Sequence, residues 1–218
     1  MHKTAAVLAL AVVSLVISAC STVRPRRDWD GLALEVCSGV PRGVEGRVWM
    51  KAKSKEASGQ FPAIVQASPE KGVRIEVTQL MGARAALIEI RGNDFKVETP
   101  QERVSKKTGS WGGIPLEWAS VLFMNRIPCP DLARVSWSWS EAGELIGRSR
   151  DGAETWKMTI VQRMGRSFVA KVILEKAGQP PFELVREDPD PQDGWARRWE
   201  VRSGAGEIKV RWRDRKSI

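Results

Sequence analysis

The sequence predicts a mainly β protein with short helices (α+β): a single curled antiparallel sheet of about eleven strands, forming an incomplete barrel with a helical lid. Over most of the chain, apolar and polar residues alternate with a period of two. Turn signals separate the alternating runs every 8 to 12 residues or so. Two short stretches have helical spacing, too little to cover a large flat sheet, so the sheet must curl and use them as cover.

The first element is not part of the fold. Met1, His2 and Lys3 form a weakly positive start, and Thr4 to Val16 is apolar and uncharged. That run falls short of the about 20 apolar residues that a spanning helix needs. Ile17-Ser18-Ala19-Cys20 follows, with small residues before a cleavage point, which marks a signal peptide. The segment resembles the lipobox of bacterial lipoproteins. The resemblance implies cleavage before Cys20, a diacylglyceryl group on its thiol and an acyl chain on its new amine. Several chains on one cysteine meet the condition for stable anchoring, to which each buried methylene contributes about 0.8 kcal/mol. Residues 1–19 are thus read as signal peptide, 20–29 as a lipidated tether and 30–218 as the domain. The tether contains Pro25 and three arginines.

Asp30 to Cys37 carries Leu32, Leu34 and Val36 and predicts a short helix, with Asp28 or Asp30 as cap. Gly39, Pro41 and Gly43 end it. Strands are predicted at Val44 to Lys53, Gln60 to Ser68, Gly72 to Thr78, Ala85 to Arg91 and Asp94 to Thr99. Gly112 to Asn125 then has helical spacing, with Pro115 at a first helical position and Pro128 and Pro130 beyond its end. Strands resume at Val135 to Trp139, Trp156 to Ile160, Phe168 to Leu174, Phe182 to Arg186, Trp199 to Val201 and Ile208 to Trp212. The last is the cleanest: Ile208, Val210 and Trp212 on one face, Glu207, Lys209, Arg211 and Arg213 on the other. That pattern belongs to a sheet with one buried and one wet face.

Removing residues 1–19 from 218 leaves 199, enough for one domain with its own core, expected to be a monomer. The net charge falls from +9 to +8, since Lys3 is the only Lys or Arg removed. The basic residues are spread along an exported chain, which argues against nucleic acid and leaves solubility, anionic lipid or an acidic partner. The only histidine is His2, in the signal, so the mature chain lacks Ser-His-Asp, Cys-His and histidine-metal chemistry. No carboxylate pair stands out, no metal spacing occurs, and no cofactor beyond the lipid on Cys20 is implied. The expectation is a non-enzyme. Cys37 and Cys129 remain after lipidation; an oxidising compartment permits a disulfide, and the alternative is two buried thiols.

Several segments together resemble LolB-like outer-membrane lipoproteins, of the LolA/LolB lipoprotein-localisation fold family. These are the lipobox, the helix and a strand beginning Glu45-Gly46-Arg47-Val48; Val77-Thr78-Gln79-Leu80-Met81-Gly82 at a strand-loop tip; Ala86-Leu87-Ile88-Glu89; Ile114-Pro115-Leu116; and Trp156-Lys157-Met158-Thr159-Ile160. The chain departs from the family in Leu80, where a proline is expected, in a helical stretch reduced to Gln101-Glu102-Arg103-Val104, and in its cysteine pair.

The resemblance implies a hydrophobic cavity beneath the lid that takes acyl chains of lipoprotein cargo from a LolA-like periplasmic carrier and helps insert them into the outer membrane. No bond is made or broken. The family's exposed apolar tip maps to Met81, with Leu80 beside it, as a membrane-insertion loop; the alternative is a loop folded back on the sheet. Trp137, Trp139, Trp156, Trp199 and Trp212 fall on apolar strand faces and are the acyl-cavity candidates, against ordinary core packing. Trp111 and Phe123 either close the mouth or pack helix on sheet. Ser21, following the lipidated cysteine, lacks the aspartate that holds lipoproteins at the inner membrane, so the expected site is the outer membrane, facing the periplasm. The alternative function is a structural or scaffolding envelope lipoprotein that keeps the fold without transfer.

Overall fold

The structure, a computed structural model, describes residues 28–218 except 40–42, 55–57, 80–83, 93, 101–102, 107–109, 112–113 and 164; between 101 and 117 the description is of backbone only. The signal segment, Cys20, most of the tether, and Leu80 and Met81 lie outside the described residues.

Helix α1 (Trp29–Cys37) opens the fold. Asp28 is its cap: one carboxylate oxygen accepts from the Gly31 amide at 3.0 Å, satisfying a donor the first turn leaves free. Strands β1 (Val44–Ser54), β2 (Ser58–Ser68), β3 (Gly72–Thr78), β4 (Arg84–Arg91), β5 (Asp94–Glu98) and β6 (Arg103–Lys106) form a meander. A small ribbon, β7 (Ser110–Trp111) with β8 (Ile114–Pro115), leads into helix α2 (Leu116–Phe123). Pro115 therefore sits just before the helix rather than in its first turn. Asn125, at φ 58°, takes the left-handed conformation that turns the chain away after it. A 3-10 turn (Leu132–Arg134) precedes a second meander: β9 (Val135–Trp139), β10 (Glu144–Ser149), β11 (Glu154–Arg163), β12 (Arg166–Lys176), β13 (Phe182–Pro189), β14 (Ala196–Ser203) and β15 (Gly206–Ser217).

The two meanders share one 13-stranded sheet, in the order β6-β5-β4-β3-β2-β1-β15-β14-β13-β12-β11-β10-β9, antiparallel throughout. They meet at a single seam, β1 against β15, where Met50 faces Val210 and Val48 faces Trp212. Strands β6 and β9 are the edges and do not pair with each other, so the sheet stays open.

Two strands of the large sheet exceed the sequence expectation, and each has a physical reason. In β10, Leu145 and Ile146 are consecutive apolar residues followed by Gly147, so no period of two is visible. Its register with β9 and β11 makes it a strand. Gln101 to Val104 was expected as a remnant helix; Arg103–Lys106 is instead β6, paired to β5 with Val104 opposite Val97. Pairing outweighs local propensity there.

One face of the sheet is buried and the other wet. In β3, Val73, Ile75 and Val77 are buried, and in β15 Ile208, Val210 and Trp212 are. Their neighbours point to solvent or are half-covered. Both helices lie on the buried face, where Ala33 of α1 and Ala119, Leu122 and Phe123 of α2 join the same core.

Candidate functional site

All five singled-out tryptophans occupy the inner face. Cross-strand register fixes this. Trp137 opposes Gly147, Gly147 opposes Trp156, Trp156 opposes Leu174 and Leu174 opposes Phe182, one lateral row across five strands. Trp139 shares its face through Leu145. Trp199 opposes Val210, and Trp212 opposes Val48. Trp156, Trp199 and Trp212 are buried, with Trp156 at 3% exposure; Trp137 and Trp139 are half-buried.

Each has a defined neighbour. Trp139 stacks on Trp29 of α1, with ring centroids 5.0 Å apart and planes 14° from parallel. Trp156 meets Trp118 of α2 at 5.5 Å, and Trp118 also sets its edge against Phe182 at 4.3 Å. Phe123, at the end of α2, meets Trp199 edge-on at 5.2 Å. Trp195 does the same to Trp212 at 5.9 Å. Such pairs contribute about 0.5–1.5 kcal/mol each beyond the area they bury. Trp137 lies across Gly147: a Cβ there would sit 2.7–2.9 Å from three carbons of the ring, so only glycine admits it. Phe123 thus packs helix on sheet.

The inner face is not fully satisfied. The indole N–H groups of Trp137, Trp195, Trp199 and Trp212 are buried and lack an acceptor among the described residues. A buried donor without a partner costs about 1–3 kcal/mol. The Trp156 N–H has one, donating to Glu154 at 3.4 Å.

A charged group shares this face. Arg186 opposes Trp199, is 9% exposed, and has no carboxylate within ion-pair reach among the described residues. Its Nη1 donates to the Val169 carbonyl at 3.2 Å. Its Nη2 donates to the backbone and side-chain oxygens of Asn125, at 3.3 and 2.7 Å. The guanidinium also lies 4.8 Å from the centre of the Phe168 ring. Burial pulls its pKa down to about 10, which leaves it charged at neutral pH. The Asn125 side-chain oxygen accepts from the Ala196 amide too, at 3.0 Å. Arg186 and Asn125 therefore tie the exit of α2 to β13 and β14. The Cys37–Cys129 disulfide ties the end of α1 to the segment after α2, and Arg126 adds a 2.9 Å hydrogen bond to the Cys37 carbonyl.

Two cavities flank these ties. One, of about 520 Å³, lies between Glu35 and Val36 of α1, Asn125, Phe168 and Arg186. The other, of about 350 Å³, is bounded by Val36, Met124, Arg126, Arg186 and Trp195. Among the described residues, neither is lined by any of the five tryptophans. Arg186 was not singled out from the sequence, yet its signal was readable. It stands in the same parity as Phe182 and Leu184, at an inward position of its strand. Trp118 carried no such signal, because its contacts are to β11 and β13, remote in sequence.

No protein-family model matches the sequence, and no curated protein does. Solved structures do match. A LolA-superfamily protein from Nitrosomonas europaea aligns with a TM-score of 0.51 at 12% identity, over 86% of this chain and 92% of its own. An outer-membrane lipoprotein-sorting protein domain from Vibrio parahaemolyticus aligns with a TM-score of 0.53 at 11% identity, over 87% of this chain and 91% of its own. The chain has a divergent LolA/LolB-like fold. Identities this low speak to the fold alone. In this version of the LolA/LolB fold, Arg186 and four aromatic pairs bind the cover to the sheet, and a disulfide joins α1 to the segment after α2. Among the described residues, no helix is long and apolar enough to cross a membrane.

Proposed function

We propose that the protein is an envelope lipoprotein that binds lipid or lipoprotein acyl chains on the inner face of its sheet. More finely, we propose a LolB-like receptor, anchored to the outer membrane through Cys20, that accepts acyl chains from a LolA-like carrier and helps insert the cargo. No step in this role breaks a bond in the cargo, so no catalytic group is needed. The observation that carries the reading is the inner face itself. It is apolar and aromatic, roofed by two helices, and holds four buried indole donors without described acceptors. An acyl ester offers both an apolar chain for such a surface and carbonyl oxygens for the donors. The likeness to lipoprotein-sorting folds supports the same reading.

In this role Leu80 and Met81 form the apolar tip that enters the membrane, and Trp137, Trp139, Trp156, Trp199 and Trp212 line the acyl surface. Mass spectrometry of lipids extracted from protein lacking Cys20 is the direct test, with bound acyl species expected. Their absence, together with no uptake of an acylated lipoprotein from its carrier, sinks the proposal. Replacing Leu80 and Met81 by Glu is expected to block delivery to membranes while cargo still binds; unchanged delivery rejects that site.

A second reading has its own support. The contacts of Trp118 with Trp156 and of Phe123 with Trp199 fill part of the inner face with the protein's own side chains. That favours a scaffolding lipoprotein using the fold as a rigid body. Co-purification with a stable envelope partner, and no acyl ligand, decides for it.

A further inference from the structure

The outward face of β14, β15 and β1 carries a tryptophan among five cations, three of which, Lys51, Arg211 and Arg213, lack a carboxylate partner among the described residues. Trp49 is half-buried and points outward from β1. Its cross-strand neighbour is Arg211, and the neighbour of Arg211 is Arg198. In the next outward row Lys51 faces Lys209. Arg213, beside the bulge in the β1–β15 pairing, holds its guanidinium 5.7 Å from the centre of the Trp49 ring. Like charges placed directly opposite one another are destabilising, and here two such pairs lie side by side.

Elsewhere on the outward face lysines stand paired: Lys157 with Glu175 at 2.5 Å and Lys171 with Glu183 at 2.6 Å. On the Trp49 patch, Glu200 and Glu207 serve Lys209, and Glu187 stands 3.9 Å from Arg198. Lys51, Arg211 and Arg213 have no carboxylate within ion-pair reach among the described residues. Pro62 opposes Trp49, and Ile64 beyond it is 38% exposed, so the patch has an apolar margin. The Thr78 hydroxyl, at the end of β3, donates to the Pro62 carbonyl at 3.5 Å. The patch thus borders the point where the chain leaves β3 towards residues 80–83.

We propose that this face is the protein's seat on an anionic bilayer surface, with lipid phosphates among Arg198, Arg211 and Arg213 and the Trp49 ring at headgroup depth. A bound phosphate relieves the repulsion between Arg198 and Arg211 that the fold otherwise carries. Tryptophan sits at the membrane interface because its ring has one apolar and one polar side. Each basic residue near an anionic surface adds to the attraction. A tether from Cys20 to Asp28 spans at most about 28 Å and does not by itself choose which face meets the membrane. The patch does, and it brings the end of β3 to the bilayer. The inference rests on the envelope-lipoprotein reading for the protein's location, and not on lipoprotein transfer.

The test uses the full chain reconstituted into vesicles of phosphatidylcholine, with or without phosphatidylglycerol, and a brief pulse of an amine-acylating reagent read by mass spectrometry. Lys51 and Lys209 are expected to label about threefold or more slowly on anionic vesicles than on zwitterionic ones, while Lys157 and Lys171 label alike on both. The difference should vanish at about 0.5 M salt, where the screening length is about 4 Å, and in a double variant, Arg198→Glu with Arg211→Glu, whose thermal melt confirms that it is folded. Equal labelling of Lys51 and Lys209 on both vesicles overturns the proposal. So does protection that appears on zwitterionic vesicles and grows with protein density, since a second copy then covers the face. Flotation with zwitterionic vesicles at high salt reports the lipid anchor separately. A chain that does not float there lacks the anchor, and the face is then decided by flotation with anionic vesicles at low salt.

Discussion

The two meanders of the sheet bury different chemistry. On the wing formed by β1 to β6, the inner face is mostly aliphatic and small: Val48, Ala63, Val65, Ile75, Ile88 and Ile90 are all buried. On the wing formed by β9 to β15 it is aromatic, with Trp137, Trp156, Phe182, Trp199 and Trp212. Helix α2 spans both, touching β3 and β4 on one side and meeting Trp156, Phe182 and Trp199 with its own rings on the other. The aromatic wing also holds most of the described ion pairs on its outer surface and the Arg186 tie on its inner one. Among the described residues, ring contacts and hydrogen bonds tie the cover to the aromatic wing, while its contact with β3 and β4 is apolar packing.

Substitutions in the core test this most strongly. Trp199→Ala is expected to cost about 3–5 kcal/mol, and Ile75→Ala about 2–4 kcal/mol, both seen as lowered thermal midpoints. Only the tryptophan variant should also speed amide exchange through α2. Equal loosening of α2 in both variants would erase the distinction between the wings. Replacing Cys37 and Cys129 together by Ser comes next, at about 2–5 kcal/mol, because their bond closes a long loop. Exchange should rise in α1 and after α2 more than in the strands; a rise spread evenly over the sheet would mean that the bond does not act through the cover.

Arg186→Met has a smaller net effect by a different balance. Burial lowers the Arg186 pKa from its ordinary value to about 10, which corresponds to roughly 3 kcal/mol spent on holding the charge inside at neutral pH. The sign is that of a buried cation: the cost is full below pH 10 and is relieved as pH rises through the folded pKa. The Met variant sheds that cost and the three hydrogen bonds together, so stability should change by about 1 kcal/mol or less while exchange rises at Met124 to Arg126. A loss above about 3 kcal/mol would show the bonds outweighing the burial.

The smallest effect is on the outer surface. Lys209→Met should cost at most about 1 kcal/mol. The hydrogen bond from Lys209 holds the Glu207 carboxyl below its ordinary pKa, and Lys171 does the same for Glu183. Their contribution is present above the unfolded carboxylate value and lost as pH falls through the depressed folded value. Acid titration of stability below about pH 4.5 should therefore be shallower in the Lys209 variant. An unchanged titration would mean that Lys209 does not hold the Glu207 carboxyl down.

Much of this was legible because a strand writes its two faces into alternate residues. Ile208, Val210 and Trp212 could be placed inward from the sequence, and register confirms that the other four tryptophans share their face. What alternation cannot convey is what a side chain meets across the interior. The partners of Trp139 and Trp156, namely Trp29 and Trp118, lie on helices far away in sequence. Strand β10 was hidden because Gly147 breaks the pattern, and it does so to admit the Trp137 ring. Strand β6 was hidden because its four residues take their form from β5. Arg186 stands in the alternation at the end of the expected strand, and a charge at an inward position is the most informative exception a strand can carry.

The bond between Cys37 and Cys129 divides the chain topologically as well. The 92-residue interval it closes contains β1 to β6, the ribbon and α2, one complete wing and the cover, while β9 to β15 lie outside. A protease cutting anywhere inside that ring yields two pieces that remain one molecule. A force applied between the N-terminal and C-terminal ends passes through the sulfur bridge, so the ring withholds about 300 Å of contour from extension. The aliphatic wing is thus the wing that pulling cannot lengthen.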